Sequence, residues 1–238
     1  MSVDAAESDT TPLTLSIVIP AFNEERTIVE LLRRVRAVPY TKQIIVVDDF
    51  STDSTAALLV REAAAGDLQV ITHRVNMGKG AAVRTGLSAI RGDVVIIQDA
   101  DLEYDPTDYA ALVGPIERGV ATVVYGSRFR GPHTAMYFWH SVGNKFLTLL
   151  TNVLYDTTLT DMETCYKVFT SGVACSLKLR SNRWGFDPEI TAKILKQGNR
   201  IYEVPISYAG REFNEGKKIT WKDGFVVLFT LLRYRFVN

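Results

Sequence analysis

The sequence predicts an α/β protein with a mostly parallel central sheet and helices on both of its faces. Short apolar runs rich in β-branched residues alternate with amphipathic stretches between residues 13 and 125. The run Val94–Ile97 is apolar at every position, as expected of an inner strand that is buried on both faces. Most runs end in acidic, amide or glycine residues, which suits the ligand-binding edge of such a sheet.

The first half of the chain alternates regularly between strand and helix. Its expected strands are residues 13–20, 43–47, Leu68–Thr72, Val94–Ile97 and 121–125. Its expected helices are residues 24–38, 53–65, 76–91 and 106–118. The first helix has apolar residues at helical spacing with basic residues opposite them. Hydroxyl and carboxylate side chains in residues 51–55 can cap the second helix, and the third is rich in alanine.

The second half is less regular. Its expected elements are a helix over 136–155, a loop and short strand over 161–169, a helix over Phe186–Lys196, a strand over 200–207, a charged loop over 212–218, and a helix over Trp221–Phe236. Pro188 suits the first turn of its helix. We expect a disordered leader over 1–12, one domain over 13–212 whose halves share a sheet, and an amphipathic helix within 213–238.

Composition excludes several classes of protein. Lys+Arg and Asp+Glu both number 27, so no overall positive field favours nucleic acid, and we expect no nucleic-acid partner. Cys165 and Cys175 are too few for a disulfide framework and fit two free thiols, with one bridge left open. The three histidines lack metal-ligand spacing. We expect neither a secretory signal nor a membrane span, because residues 1–11 are polar and no apolar run reaches about 18 residues.

The stretch VVIIQDADLEYDP, residues 94–106, carries the main chemical signal. Asp99 and Asp101 follow a buried strand directly, and Glu103 lies two residues further on. Carboxylates this close together are unfavourable unless a cation lies between them. A divalent ion that also binds a substrate phosphate meets that need. The alternative is a solvated acidic loop in which Asp105 starts the next helix.

Four further polar clusters are expected at the same edge of the sheet, because each follows a predicted strand. They are Asn23-Glu24, Asp48-Asp49, residues 76–80 and residues 126–128. The fingerprints of other α/β proteins are missing. The sequence has no GxGxxG after its first strand, no complete P-loop around Gly78-Lys79-Gly80, and no GxSxG elbow. Dinucleotide-binding domains, P-loop kinases and α/β-hydrolases are therefore disfavoured.

In this order, the motifs resemble those of the family 2 glycosyltransferases of the GT-A fold. The motifs are SIVIPAFNE at 16–24, IVVDD at 45–49, NMGKG at 76–80, DAD at 99–101 and GSR at 126–128. The most similar branch contains the dolichol-phosphate mannose synthases and other polyprenyl-phosphate glycosyltransferases. The resemblance covers roughly residues 13–210. It implies a nucleotide-sugar donor, UDP- or GDP-linked, an inverting transfer, and a polyprenyl-phosphate acceptor.

The resemblance also assigns donor and metal residues. It implies that the nucleotide-sugar is bound by Pro20, Ala21, Asn23, Glu24, Asp49, Lys79, Asp99, Ala100 and Asp101. It implies a divalent metal, Mg²⁺ or Mn²⁺, on Asp99 and Asp101, with Asp101 also counted as catalytic. Glu103 stands where the mannose synthases often have Gln, and is the expected third metal ligand.

On the acceptor side, the family pattern assigns Arg128 to the lipid phosphate and counts it as catalytic. Arg211 is the second choice for this contact, and Ser141 is a further expected contact; for each arginine the alternative is a surface residue in a loose ion pair. A guanidinium fork matches phosphate oxygens well. Asp161 is expected to be catalytic, either as a base or in positioning the acceptor; alternatively it caps a turn. Glu189 is expected either to bond sugar hydroxyls or to face solvent.

Two helical stretches, residues 136–155 and Trp221–Phe236, combine aromatic and aliphatic residues with a few basic ones, as interfacial helices do. The alternative is an ordinary core helix. Because a polyprenyl acceptor lies in the bilayer, we expect a peripheral enzyme on the cytoplasmic face of the membrane surface, to which a membrane-protein partner could anchor it. Transfer to a saccharide or protein hydroxyl, and a non-catalytic nucleotide-sugar-binding scaffold, remain as alternative functions.

Overall fold

The computed structural model describes residues 13–210 and 221–237, with the backbone alone described at 221–223. Within them, seven strands form one sheet in the order β3-β2-β1-β4-β6-β5-β7. The strands are β1 Thr14–Ala21, β2 Thr41–Asp48, β3 Leu68–Thr72, β4 Val94–Ile97, β5 Val123–Ser127, β6 Lys167–Thr170 and β7 Ile201–Pro205. The expected leader over 1–12 and the loop over 212–218 lie outside the described residues.

The helices also follow the predicted order. They are α1 Ile28–Ala37, α2 Thr55–Ala63, α3 Lys79–Leu87, α4 Tyr109–Glu117, α5 Phe138–Tyr155, α6 Ser171–Ser176, α7 Phe186–Lys196 and α8 Trp221–Phe236. A single 3₁₀ turn, Pro106–Asp108, precedes α4. The six-residue α6 was not predicted, because it is too short to show a helical period; the hydroxyl of Thr170 caps it by accepting from the Val173 N–H. The α/β class with a mostly parallel sheet is confirmed.

The strand directions decide which chain segments meet. All the described strand pairings are parallel except those of β6, which runs antiparallel to both β4 and β5. The carboxyl ends of the parallel strands therefore share one edge of the sheet with the beginning of β6. Residues that precede β6 arrive at this edge together with residues that follow β1, β2, β4 and β5.

The centre of the sheet is apolar on both faces. Ile17 and Val18 of β1 pair with Ile96 and Ile97 of β4, and all four side chains are at most 1% exposed. Burying a side chain of this size contributes roughly 1.5–3 kcal/mol to folding. Because this core holds β4 rigidly, Asp99 emerges at a defined point of the edge.

One sequence prediction needs correction at β5. Gly126 and Ser127 were expected in a cluster beyond the strand, but they are its last two residues and pair with Val204 and Pro205 of β7. Gly126 is required there, because a Cβ atom would lie 2.7 Å from the Ile206 side chain. Only Arg128 of the predicted cluster therefore projects beyond the strand.

Helices α5 and α8 pack against each other beside the sheet. Leu159, Met162, Val227 and Leu231 form a small separate core with them. The outer surface of α5 is apolar and exposed; its most exposed large residues are Phe138, Trp139, Phe146, Leu149 and Val153. None of the helices in the described ranges has both the length and the apolar content that crossing a bilayer requires.

Candidate active site

A cavity of about 720 Å³ lies at the carboxyl edge of the sheet. This volume is within the range of small-molecule and cofactor sites. It brings together ten of the residues assigned from sequence, which are Pro20, Ala21, Glu24, Asp49, Lys79, Asp99, Ala100, Asp101, Glu103 and Arg128. Asn23, Ser141, Asp161 and Glu189 do not line it, and Arg211 lies outside the described residues.

At the base of the acidic loop, Lys79 and Asp99 form an ion pair. The Lys79 Nζ atom lies 2.7 Å from Oδ1 and 2.8 Å from Oδ2 of Asp99. Burial alone would raise the pKa of Asp99, but the Lys79 charge and hydrogen bond outweigh it and hold that pKa below its ordinary value. Asp99 is therefore ionised, with a cation beside it.

The donor set of the loop fits a divalent ion that keeps other ligands. Asp101 accepts from the Glu103 N–H at 3.1 Å, and Glu103 Oε2 accepts from the Tyr208 hydroxyl at 2.9 Å. Within the described part of the chain, no three His, Cys, Asp or Glu side chains are gathered closely enough to hold an ion, so Glu103 is not brought to Asp99 and Asp101 as a third ligand. Mg²⁺ typically uses one or two carboxylates together with water and substrate phosphates, which matches this loop.

Arg128 is fixed by a buried carboxylate. Its Nε and Nη2 atoms each donate to Asp161 at 2.7 Å, and its backbone N–H donates to the same carboxylate at 3.0 Å. Asp161 is 0% exposed, whereas Arg128 is 8% exposed and lines the cavity. Burial would lower the pKa of Arg128, but the Asp161 charge raises it further above its ordinary range. Arg128 is thus a permanent cation, and its remaining N–H groups can bind an anion.

The geometry favours one of the two catalytic roles expected for Asp161. A general base must reach the substrate proton, but the Asp161 side chain does not line the cavity and both of its oxygens accept from Arg128. The arrangement therefore favours positioning, through Arg128, over proton transfer. A turn cap alone would not explain two hydrogen bonds to a guanidinium group.

Asp49, which also lines the cavity, organises the loop before α3. Its carboxylate accepts from the Met77 N–H at 2.9 Å and the Gly78 N–H at 2.6 Å, and lies 2.7 Å from Nδ1 of His73. Gly78 has φ 96°, and a Cβ there would lie 2.5 Å from the Asn182 carbonyl oxygen, so glycine is required. Asp49 both lines the cavity and holds the segment that carries Lys79.

Asn23 has a structural position. Its side-chain oxygen accepts from the Thr52 N–H at 2.8 Å, and its backbone adopts φ 55°. Asparagine tolerates this left-handed conformation better than most residues do. Asn23 links the loop after β1 to the loop after β2. These loops carry Glu24 and Asp49, which line the cavity, whereas Asn23 does not.

The solvent-facing alternative for Glu189 is wrong, and the structure does not bring this residue to the cavity. Glu189 is 0% exposed, and its oxygens accept from the N–H groups of Arg180 and Ser181 and from Lys193. Asp187, two residues earlier, lines the cavity instead. Residues two apart on a helix point about 200° away from each other, so only one of the two can face the site.

Sequence reasoning also missed Glu163. It lines the cavity from the loop that leads into β6. Burial, followed by the nearby charge of Asp187, raises the pKa of Glu163 to about 7. The sequence signal was available in DMETCYK, but only the antiparallel direction of β6 shows that this loop reaches the same edge as Asp99. Both cysteines are free thiols, and Cys165 also lines the cavity.

The sheet order, and the cavity that the acidic loop shares with Arg128, fit the class indicated by the motifs: a glycosyltransferase of the GT-A type. The family model for Glycosyl transferase family 2 matches residues 16–177. This is more than half of the chain, and the chain belongs to that family. The family resemblance noted from the motifs is therefore confirmed.

Two individual relatives indicate which members of the family this chain resembles. A low-salt glycan biosynthesis hexosyltransferase of Haloferax volcanii is 31% identical over 227 residues, covering 93% of this chain and 53% of its own length. The dodecaprenyl-phosphate galacturonate synthase of Rhizobium johnstonii is 28% identical over 213 residues, covering 86% of this chain and 62% of its own. The chain thus spans between half and two thirds of these two relatives, one of which is a polyprenyl-phosphate glycosyltransferase.

A solved structure shows the same fold. The glucosyl-3-phosphoglycerate synthase of Mycobacterium tuberculosis, crystallised with Mn²⁺, UDP and glucosyl-3-phosphoglycerate, matches with a TM-score of 0.72 at 22% identity. The match covers 95% of this chain and 81% of that protein. At this identity, the likeness establishes the shared GT-A architecture.

Proposed function

We propose that this protein is an inverting, metal-dependent glycosyltransferase that moves a monosaccharide from a UDP- or GDP-sugar to a polyprenyl phosphate. One observation carries the proposal. Arg128, held by the buried Asp161, faces the same cavity as the acidic residues Asp99 and Asp101. A cavity with a metal-type acidic loop and a separate fixed guanidinium suits two phosphorylated substrates, one on each group.

The donor half of the cavity is suited to a nucleoside diphosphate as leaving group. In this proposal Pro20, Ala21, Glu24 and Asp49, which line the cavity, would surround the nucleoside, and Lys79 and the acidic loop would lie towards the diphosphate. A divalent ion on Asp99 and Asp101 would neutralise charge that develops on the departing phosphate oxygens. Lys79 adds a positive charge that is already oriented by Asp99, so no protein acid has to protonate the leaving group.

The acceptor half supports a phosphate more than a hydroxyl. A phosphate monoester has a second pKa of about 6, so its attacking oxygen is mostly ionised near neutral pH and needs no strong base. Arg128 would hold that oxygen towards the sugar carbon. The alternative, transfer to a saccharide or protein hydroxyl, requires a general base. Glu163, with a pKa of about 7 at the cavity, is the observation that keeps this second candidate open.

A donor panel tests the function. Purified protein is incubated with UDP- and GDP-linked hexoses, Mg²⁺ or Mn²⁺, and a short polyprenyl phosphate, and extracts are scored for lipid-linked sugar. We expect one donor to give product that disappears with EDTA and returns with added metal. Product on a free saccharide or protein hydroxyl, with none on the lipid phosphate, would favour the second candidate. A protein that binds donor but transfers to no acceptor would favour the scaffold.

Membrane contact follows from the lipid acceptor, and it is supported by exposed apolar residues. On α5, Phe138 and Trp139 are 70% and 77% exposed, and on α8, Phe229 and Phe236 are 65% and 83% exposed. Trp139 also lines the cavity, so the apolar surface reaches the opening through which a lipid phosphate would enter. Basic residues near the end of α8, Arg233 and Arg235, can approach anionic headgroups. We therefore propose a peripheral enzyme at the cytoplasmic face.

Liposome flotation tests this contact. We expect the protein to float with anionic vesicles at low salt, and the variant Trp139→Glu/Phe146→Glu to float at least about tenfold less, because it places two charges at the apolar interface. Val60→Glu is the matched control, since Val60 is 73% exposed on α2. Equal flotation of all three proteins, or none by the wild type, would contradict the placement.

A further inference from the structure

Glu163 is a carboxyl group that lines the cavity and forms no ion pair among the described residues. The charged groups that act on it are Asp187, Lys167, Arg128 and Asp161. Each of these is already paired: Lys167 lies 2.6 Å from Asp187, and Arg128 lies 2.7 Å from Asp161. The two ion pairs therefore surround Glu163 without neutralising it.

The Glu163 carboxyl group is also short of hydrogen bonds. Its Oε1 atom is shielded from solvent and has no hydrogen-bond partner in the described part of the chain. Buried polar atoms are nearly always hydrogen-bonded, and an exception calls for an explanation. The Glu163 side chain as a whole lines the cavity, so a ligand that enters the cavity can contact the carboxyl group and, by turning it, supply the missing partner. Burial raises the pKa of this group to about 7, as expected of a carboxyl whose partner is absent.

The charges of the two substrates indicate which of their groups is the hydrogen-bond partner of Glu163. The diphosphate of the donor and the phosphate of the acceptor are both anionic, so the ionised form of the Glu163 carboxyl group would be repelled by either. The transferred sugar is neutral, and its hydroxyl groups donate hydrogen bonds, which carboxylate oxygens accept. In the proposed reaction the sugar would lie between the two phosphates, and Glu163 lines the same cavity as Arg128 and Asp187.

We propose that the Glu163 carboxyl group binds hydroxyl groups of the donor's sugar ring and contributes to sugar selectivity. This inference rests on the proposed function and assigns the sugar contact that Glu189 does not make. Hydrogen bonding to the sugar would hold its reacting carbon in line between the leaving diphosphate and the phosphate bound by Arg128. The neutral end of the donor is then recognised separately from its nucleotide.

The test compares the binding of a nucleotide-sugar with that of its nucleotide. UDP-glucose and UDP, or GDP-mannose and GDP, are titrated calorimetrically, whichever pair matches the donor that wild type turns over. Glu163→Ala should weaken binding of the nucleotide-sugar by about tenfold to a hundredfold, the range for one hydrogen bond to a charged group. Binding of the nucleotide alone should change by less than about twofold. Glu163→Gln, which keeps one acceptor oxygen, should show a smaller loss, and the exposed Glu117→Gln should show none.

Donors that lack one ring hydroxyl extend the test. The deoxy donor that lacks the contacting hydroxyl should bind wild type and Glu163→Ala equally well. If both variants keep the wild-type ratio of nucleotide-sugar to nucleotide affinity, the inference is overturned while the proposed function stands. Unchanged affinities with a large loss of kcat would overturn it too, and would make Glu163 a general base. If wild type transfers no sugar in the donor panel, the proposed function fails first, and this inference with it.

Thermal unfolding separates this role from a purely structural one. The pKa of Glu163 is raised from about 4.5 to about 7, so the folded protein holds this proton more tightly than the unfolded chain does. Wild type therefore loses stability from this group as pH rises through that window. Gln cannot ionise, so the Tm of Glu163→Gln relative to wild type should be higher at pH 8 than at pH 5. A Tm difference that falls with pH would show that Glu163 has a stabilising partner, and would overturn the premise.

Discussion

Asp161→Ala is expected to destabilise the protein by about 3–5 kcal/mol, because it leaves the buried Arg128 guanidinium without a counter-charge. Sugar transfer should fall by at least about 10²–10³-fold, since an unfixed arginine no longer holds the acceptor phosphate. Urea unfolding measures the first effect, and lipid-linked product formation measures the second. Glu30→Ala is the control: it removes a partly exposed carboxylate that pairs with Arg33 and Arg34 on the protein surface, and stability should hardly change.

A double-mutant cycle tests whether the pair acts as one unit. Arg128→Ala leaves the fully buried Asp161 carboxylate unpaired, so it should destabilise to a similar extent. Arg128→Ala/Asp161→Ala removes both charges and should be more stable than the sum of the single effects implies. It should remain inactive. Additive destabilisation, or an active Asp161→Ala variant, would contradict the positioning role.

Asp99→Ala/Asp101→Ala is expected to lower sugar transfer by about 10³-fold or more. A metal ion held by Asp99 and Asp101 at the diphosphate would supply several kcal/mol of charge stabilisation in the transition state, and each 1.36 kcal/mol corresponds to a tenfold change in rate. The wild type should bind UDP or GDP more tightly when Mn²⁺ is present. The double variant should bind the nucleotide equally weakly with and without Mn²⁺. Calorimetric titration measures this difference directly.

The stability of Asp99→Ala/Asp101→Ala has to be measured separately, because this variant also removes the ion-pair partner of Lys79. Removing Asp99 leaves the Lys79 ammonium without the partner it has at 2.7 Å. Lys79→Met/Asp99→Ala removes both charges, and a Tm near the wild-type value for this variant would show that the fold tolerates the change. Glu117→Gln again serves as the unaffected control. Abundant metal-dependent turnover by Asp99→Ala/Asp101→Ala would refute the metal assignment.

The parallel half of the molecule was predictable from sequence for a local reason. Strands β1 and β4 are almost entirely buried, and β2 is buried over its last five residues, so each contains an apolar run, and the polar group that follows marks its carboxyl end. The edge strand β3 is only partly buried. Asp49, Lys79 and Asp99 were therefore assigned to one edge without coordinates, and the structure does bring them to one cavity. The family membership followed from the same motifs.

The half around β6 was harder to predict. A four-residue strand has the same apolar pattern in either direction, so the sequence does not reveal that β6 runs antiparallel. That direction brings the preceding loop, with Glu163, to the cavity. The choice between Asp187 and Glu189 was equally undetermined, since it depends on the rotation of α7 about its axis.

The sequence by itself determined the fold class, the glycosyltransferase family and the acidic loop, because hydrophobic periodicity and short motifs are properties of adjacent residues. Tertiary structure alone decided the roles of the remaining charged groups. It buried Asp161 behind Arg128, satisfied Glu189 away from the cavity and left Glu163 facing into it. Whether a carboxylate supports the fold or faces a ligand depends on the groups packed around it, and those groups come from distant parts of the chain.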